Sequence, residues 1–267
     1  LMHNAAFSHC AVDAVYAPFH VTADVLAAAV ASLKALDIKG INVTIPHKET
    51  IIPLLDHVDP TARQIGAVNT VVNDHGRLVG YNTDSSGFIR SATEDLGFSP
   101  HDKKVLLLGA GGACRAAVQA LLAAQVQQIT VANRHIERAA DLITAFKTNA
   151  TKQHLVAVPY GSTEFLQAVS TADLLVNTTS VGLHGEFLDF LPLENIKGSA
   201  LIFDMVYSMT GTALVQIARR HGLTCVDGLS LLSAQGEDAF FIWTGKRLPH
   251  GFMRQQLVDY LDQTGKE

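Results

Sequence analysis

Short apolar runs closed by glycine, proline or polar residues recur along the chain, and from Lys103 onward they alternate with segments of helical periodicity. Residues 105–108, 129–132, 156–158, 174–176 and 201–203 are largely continuous in their apolar character. Parallel strands covered by helices on both faces read this way, whereas a half-exposed strand alternates. The succession of strand and helix predicts a doubly wound, Rossmann-type parallel sheet with right-handed crossovers.

The first third follows a different grammar. His3 and Asn4 lead into a helical face at Ala5, Ala6 and Phe7, and the alternation over 12–19, with Pro18 near its end, predicts a strand. Thr22 is expected to cap a long amphipathic helix through Leu36, which Lys39-Gly40 ends. Residues 40–46 read as a second strand that Pro46 stops, and Asp59-Pro60 opens a short helix. Residues 67–73 and 77–81 flank Asp74-His75-Gly76 as a hairpin with a three-residue loop. A helix to Leu96 then places Asp84 at or near its N-terminus. After the last strand, Asp227-Gly228-Leu229 opens a helix carrying Gln235, and a final helix covers 251–262. These two helices are expected to return to the first domain. The predicted organisation is therefore two α/β domains, 1–84 with 229–267 and 85–228.

Composition narrows the function classes. The chain has 267 residues, 48% hydrophobic and 17% charged, which suits a globular protein with a substantial core. A net charge of -5 with scattered basic residues offers no field for nucleic acid, so small molecules are the expected partners. No run is long and apolar enough for a membrane span. Cys10, Cys114 and Cys225 are far apart and give no disulfide framework, so a cytoplasmic location is expected. Twelve histidines show no metal-binding spacing, and no metal is expected.

The candidate chemistry lies at strand ends. Gly109, Ala110, Gly111, Gly112 and Ala113 join a buried strand to a helix, where unpaired N–H groups and the helix dipole make a site for a dinucleotide pyrophosphate. Cys114 stands where a stricter fingerprint has its third glycine, and it reads as a small buried residue. Beyond the next strand, Asn133 and Arg134 occupy the place where an acidic residue would bind free ribose hydroxyls, and Arg138 follows one turn later. Two guanidinium groups without a carboxylate predict NADP(H) rather than NAD. Thr178 and Ser180 in the polar loop after the 174–176 run, then Met205 and Gly228, are the candidate contacts of the cofactor's other end. Lys48 and Thr44 follow the second strand at the carboxyl end where ligands bind, although Lys48 by itself also fits a solvated lysine in a first helical turn. Asn69, a lone amide among apolar residues, needs partners if buried.

Taken in order, Met2-His3-Asn4, the stretch from Gly40 through Pro46 to Glu49, Gly66-Ala67-Val68-Asn69-Thr70, Asn82-Thr83-Asp84, the glycine turn, Asn133-Arg134, Asn177-Thr178-Thr179-Ser180 and Asp227-Gly228-Leu229 with Gln235 resemble the shikimate dehydrogenase family over essentially the whole chain. The resemblance implies NADPH-dependent reduction of 3-dehydroshikimate to shikimate. It implies Lys48 and Asp84 as catalytic residues, Thr44, Asn69 and Gln235 as contacts of the ring hydroxyls, and Tyr207 near the substrate carboxylate. A quinate-accepting or NAD-using paralogue and a non-catalytic nucleotide-sensing module are the alternatives, and the protein is expected to be a monomer or homodimer. The family's paired serines have no counterpart from Leu1 onward, so an upstream segment with the first strand is expected, and poor substrate binding by the chain as it stands. His135 takes the place of a threonine common in relatives.

Overall fold

The computed structural model describes residues 1–147, 153–208 and 211–264. It divides into two compact units, Leu1–Gly87 with Ser233–Glu267, and Phe88–Leu232.

The first unit contains α1 (Met2–His9), α2 (Leu26–Ala35), β1 (Gly40–Asn42), the single turn α3 (His47–Thr50), β2 (His57–Val58), α4 (Pro60–Ile65), β3 (Thr70–Asp74), β4 (Arg77–Tyr81) and the start of α5 (Thr83–Glu94). Its sheet runs β1-β3-β4-β2, with β2 and β4 parallel and the other pairs antiparallel. Local chemistry sets the joints. Asp59 accepts a bond from the Thr61 N–H, Pro60 occupies the first helical position where no donor is needed, and Gly66 closes α4 in the left-handed region. In the hairpin Asp74 pairs with Arg77, which leaves a two-residue loop rather than the expected three. His75 and Gly76, at φ 50° and 87°, supply the two positive values a type I′ turn requires, and the Asn73 side chain accepts from the Gly76 N–H.

Three other expectations for this unit change. Residues 12–19 form no strand, because a strand needs a neighbour's backbone and this segment has no ladder partner among the described residues. The Asn4 side chain brackets the Tyr16 backbone instead, and Val15 and Phe19 remain exposed. Thr22 begins a 3-10 turn, Ala23–Val25, and the α-helical part spans only Leu26–Ala35. Strand pairing in the 40–46 segment stops at Asn42, because the chain turns at Pro46 into α3.

The rest of the unit is built from the chain's end, with residues 233–244 of α10 (Gly228–Thr244) and α11 (Phe252–Thr264). α11 packs against α1, with Ala6, Phe7, Phe240 and Met253 buried together. The predicted return of the terminal helices is thus observed. A separate core of Val30, Leu33, Ile51, Val68, Val71 and Leu78 lies under the sheet.

The second unit holds β5 (Lys104–Leu108), α6 (Gly112–Ala123), β6 (Gln128–Asn133), α7 (Ile136–Phe146), β7 (His154–Pro159), α8 (Thr163–Thr171), β8 (Leu174–Asn177), β9 (Leu201–Asp204), α9 (Ala213–Arg220) and β10 (Thr224–Val226). All neighbours in the order β10-β9-β8-β5-β6-β7 are parallel. Alternate residues of one strand serve opposite cores. Val105 and Leu107 join Ala117, Leu121 and Leu142 of α6 and α7, while Leu106 and Leu108 join Phe165, Val169 and Leu214 of α8 and α9. The continuous apolar runs reflect that double covering. β10 was not anticipated, since three residues with an exposed first position carry little pattern. The chain order reverses between β5 and β8, which is where such sheets open a crevice at their carboxyl ends.

Candidate active site

In the first unit, Lys48 is carried by α3, whose position is fixed by a bond from the Val68 N–H to the Lys48 carbonyl at 2.8 Å and by the His47 ring against the Val21 carbonyl at 2.7 Å. Asp84 lies in the first turn of α5, and the buried Asn82 anchors that turn by accepting from the Ser85 N–H and donating to the Ala67 carbonyl. Lys48 Nζ and Asp84 Oδ2 are 2.8 Å apart, with side chains 29% and 23% exposed. The pair is therefore ordered by its surroundings and still open to a small molecule.

Asn69 supplies the order. Its Nδ2 donates to Asp84 Oδ1 at 2.8 Å, and its Oδ1 accepts from the Thr83 N–H at 2.7 Å. The amide is only 3% exposed, so its donors and acceptor had to be met inside the protein, as the isolated polar residue suggested. Gln235 Oε1 lies 3.4 Å from Thr83 Oγ1 and 3.5 Å from Asn69 Nδ2. The structure thus brings Lys48, Asp84, Asn69 and Gln235 into one network and adds Thr83, which sequence reasoning left as part of a motif. Its position directly before Asp84 in Asn-Thr-Asp was the available signal. Thr44 stands exposed, its hydroxyl 3.4 Å from the Ile45 carbonyl and outside the Lys48 network. Among the described residues no group of histidine, cysteine and carboxylate side chains is placed to hold a metal. An ammonium paired to an oriented carboxylate can still stabilise and protonate a developing oxyanion.

In the second unit, Gly109 takes φ 101°, a conformation that side chains disfavour. Gly111 is the N-cap of α6 and offers no side-chain cap, and a Cβ at Gly111 or Gly112 would meet nothing within 4 Å. The first N–H groups of α6 have no intrahelical acceptor and no side-chain cap, the arrangement of an anion site. Ala110 and Ala113 flank the turn, and Cys114 is fully buried, its thiol pushed up to about 12 by burial, so a reactive thiolate is excluded there. β6 ends at Asn133, which donates to the His135 carbonyl at 2.8 Å, and Arg134 and Arg138 are both exposed beside it.

On the other side of β5, Thr178 donates to the Leu108 carbonyl at 2.6 Å, and Ser180 is exposed in the following turn. Met205 continues β9 by a bond from its N–H to the Asn177 carbonyl at 3.0 Å. Gly228 packs so closely that a Cβ would stand 2.4 Å from the Met205 carbonyl oxygen. Tyr207 is 47% exposed, two residues beyond Met205.

A family profile described as Shikimate dehydrogenase substrate binding domain matches residues 1–71, and one described as Shikimate / quinate 5-dehydrogenase matches residues 91–183. Over 258 residues the chain is 45% identical to the shikimate dehydrogenase (NADP(+)) of Geobacter metallireducens, covering 97% of this chain and 90% of that protein. It is similar in structure to the shikimate 5-dehydrogenase of Thermus thermophilus in complex with NADP(H) and shikimate, with TM-score 0.84 and 32% identity over 97% of this chain and 93% of that one. The quinate dehydrogenase of Corynebacterium glutamicum in complex with NAD is also similar, with TM-score 0.88 and 30% identity over 97% and 93% of the two chains.

Proposed function

The chain belongs to the shikimate dehydrogenase family, and on that premise we propose that it catalyses the reversible NADPH-dependent reduction of 3-dehydroshikimate to shikimate. The observation that carries the chemistry is the Lys48–Asp84 pair held by Asn69. Bound NADPH supplies the hydride. As charge develops on the ketone oxygen, Lys48 stabilises it and donates the proton, and Asp84 holds the ammonium in register for that transfer. Gln235 offers an amide and Thr44 an exposed hydroxyl to ring hydroxyls, Asn69 would join them only by exchanging one of its bonds to Asp84 or Thr83, and Tyr207 offers a phenol suited to the substrate carboxylate.

The second unit's donors fit the cofactor. Uncapped N–H groups at the glycine turn suit a pyrophosphate, and Arg134 with Arg138, where no carboxylate ends β6, suits a 2′-phosphate. Asn133 joins them, while Thr178, Ser180, Met205 and Gly228 serve the nicotinamide end. Residues 1–87 with 233–267 would then handle substrate and residues 88–232 the cofactor. No helix among the described residues is long and apolar enough to cross a membrane, and a small polar substrate and reduced cofactor suit an enzyme of the cytoplasm, monomeric or homodimeric.

Absorbance at the reduced-nicotinamide band, with shikimate or quinate against NADP or NAD, tests the reading. Oxidation is expected to be fastest with shikimate and NADP; a comparable rate with quinate and NAD would replace it by a quinate dehydrogenase. Lys48→Ala should lower turnover about a hundredfold or more, the scale of a lost acid-base group. A variant with full turnover refutes the assigned chemistry, and a folded wild-type chain without activity under all four conditions favours a nucleotide-sensing module.

A further inference from the structure

The second unit buries a carboxylate for which the proposed chemistry has no use. Asp204, the last residue of β9, is fully buried, and it faces Asn177, the last residue of β8, in register. Asp204 Oδ1 accepts from Asn177 Nδ2 at 2.9 Å and from the Val206 N–H at 3.0 Å, and Oδ2 accepts from Thr212 Oγ1 at 2.6 Å. Burying an ionisable side chain is unfavourable, and burial pushes Asp204 up to about 6 against the lowering effect of those three bonds. An apolar residue would fill the space without that penalty, and what the carboxylate contributes in exchange is the set of bonds it accepts.

It connects three segments. Asn177 also donates to the Val181 carbonyl at 3.0 Å, and its Oδ1 accepts from the Thr179 N–H and hydroxyl, so its orientation fixes Thr179 and Val181 in the turn from Thr178 to Gly182. The Val206 N–H fixes the segment that continues from Met205, whose neighbour Val206 accepts from the Gly228 N–H. Thr212 is the N-cap of α9, its hydroxyl accepting from the Val215 N–H. Strand order locates these segments relative to a dinucleotide. The glycine turn follows β5, the arginines follow β6 on one side, and β8 and β9 lie on the other. A dinucleotide with its pyrophosphate at the turn and its phosphorylated ribose at the arginines must extend its far end over β8 and β9.

We propose that Asp204 is a positioning residue for the nicotinamide end of the cofactor, locking the 178–182 turn and the 205–207 segment to each other through Asn177 and the Val206 N–H. The inference rests on the proposed use of NADP(H) and is tested by binding rather than turnover. Two probes separate the halves of the site: NADPH, titrated by its own fluorescence, and adenosine 2′,5′-bisphosphate, which carries the phosphorylated ribose but no nicotinamide. Asp204→Ala should weaken NADPH at least tenfold and leave the bisphosphate within twofold of wild type. Asp204→Asn, whose amide keeps an acceptor for Asn177 and Val206, should recover most of the loss.

Equal weakening of both probes would show a merely structural role and overturn the proposal, as would no change in either. If Asp204→Ala fails to fold, Asn177→Ala leaves the carboxylate and its other two donors in place and must show the same selective loss. Failure of the wild-type chain to bind either probe would instead refute the cofactor reading on which the proposal stands.

Discussion

Two buried titratable side chains respond to the same acid range with opposite sign. His3 is 3% exposed, stacks on Tyr16 at 4.4 Å, and is lowered by burial to about 4. Between pH 6.5 and 4 the unfolded chain takes up a proton at this site and the folded chain does not, so stability present above pH 6.5 is lost as pH falls. Asp204, raised to about 6, takes up its proton first in the folded state, so its unit gains stability as pH falls from about 6 toward 3.8. Each effect is on the order of 3 kcal/mol at the limit, because a tenfold change in an acid dissociation constant is worth about 1.4 kcal/mol. Trp243 is the single tryptophan and lies 5.3 Å from His3, so its fluorescence reports on that cluster. Urea titrations followed at Trp243 are expected to show a midpoint that falls from pH 7 to pH 5 in wild type and is nearly flat in His3→Phe. An equally steep fall in the variant would assign the acid sensitivity elsewhere. Asn69→Ala belongs to the same scale. Losing the 2.8 Å bond to Asp84 while leaving Lys48 in place should lower kcat about tenfold or more with little change in NADPH affinity, and an unchanged kcat would remove Asn69 from the positioning of the pair.

At the scale of elements, one glycine sets a helix approach that the site depends on. A Cβ on Gly87 of α5 would stand 2.7 Å from the Gln235 backbone nitrogen and 3.0 Å from its Cα, atoms that cannot swing aside. Ser86 bonds Asp238 at 2.5 Å on the neighbouring turns, so the two segments are clamped where the glycine allows contact. Gly87→Ala should destabilise the protein by about 1–3 kcal/mol, as overpacking does, and raise KM for shikimate severalfold through Gln235 while NADPH affinity stays constant. Thermal melts and steady-state kinetics decide it; an unaltered KM would detach Gln235 from substrate. This dependence was not legible in the sequence, because a glycine inside a helix signals a close approach without saying to what. The parallel strands were legible, since double burial leaves continuous apolar runs, and so was the helix start at Asp59-Pro60, where the cap chemistry is local. The segment 12–19 misled because alternation describes side chains, while a strand is defined by a partner's backbone. Lys48, Asp84, Asn69 and Gln235 are legible as motif residues, whereas the contacts that make them one network, 2.8 Å for Lys48–Asp84 and 3.5 Å for Asn69–Gln235, join residues up to 166 positions apart.

For the whole molecule, the decisive feature is that each unit has its own buried core, Leu33, Val68, Val71 and Leu78 in one and Val105, Leu107, Leu121 and Val176 in the other. Segments with separate cores can open separately, and a ligand that binds only the closed form of one unit slows opening of that unit. The proposed division of labour therefore has a signature in backbone hydrogen exchange. At a hundredfold excess over its Kd, a ligand adds about 2.7 kcal/mol to the opening free energy, which slows exchange roughly a hundredfold in amides that exchange by unit-wide opening. NADPH alone should protect β5, β6, β8 and β9, and shikimate alone should protect β3, β4 and the part of α10 around Gln235. Mass spectrometry of peptic fragments resolves the two patterns without any turnover. Protection of β3 and β4 by NADPH with none at β5 would reverse the assignment of the units, and protection of the same fragments by both ligands would mean that the chain opens as one body despite its two cores.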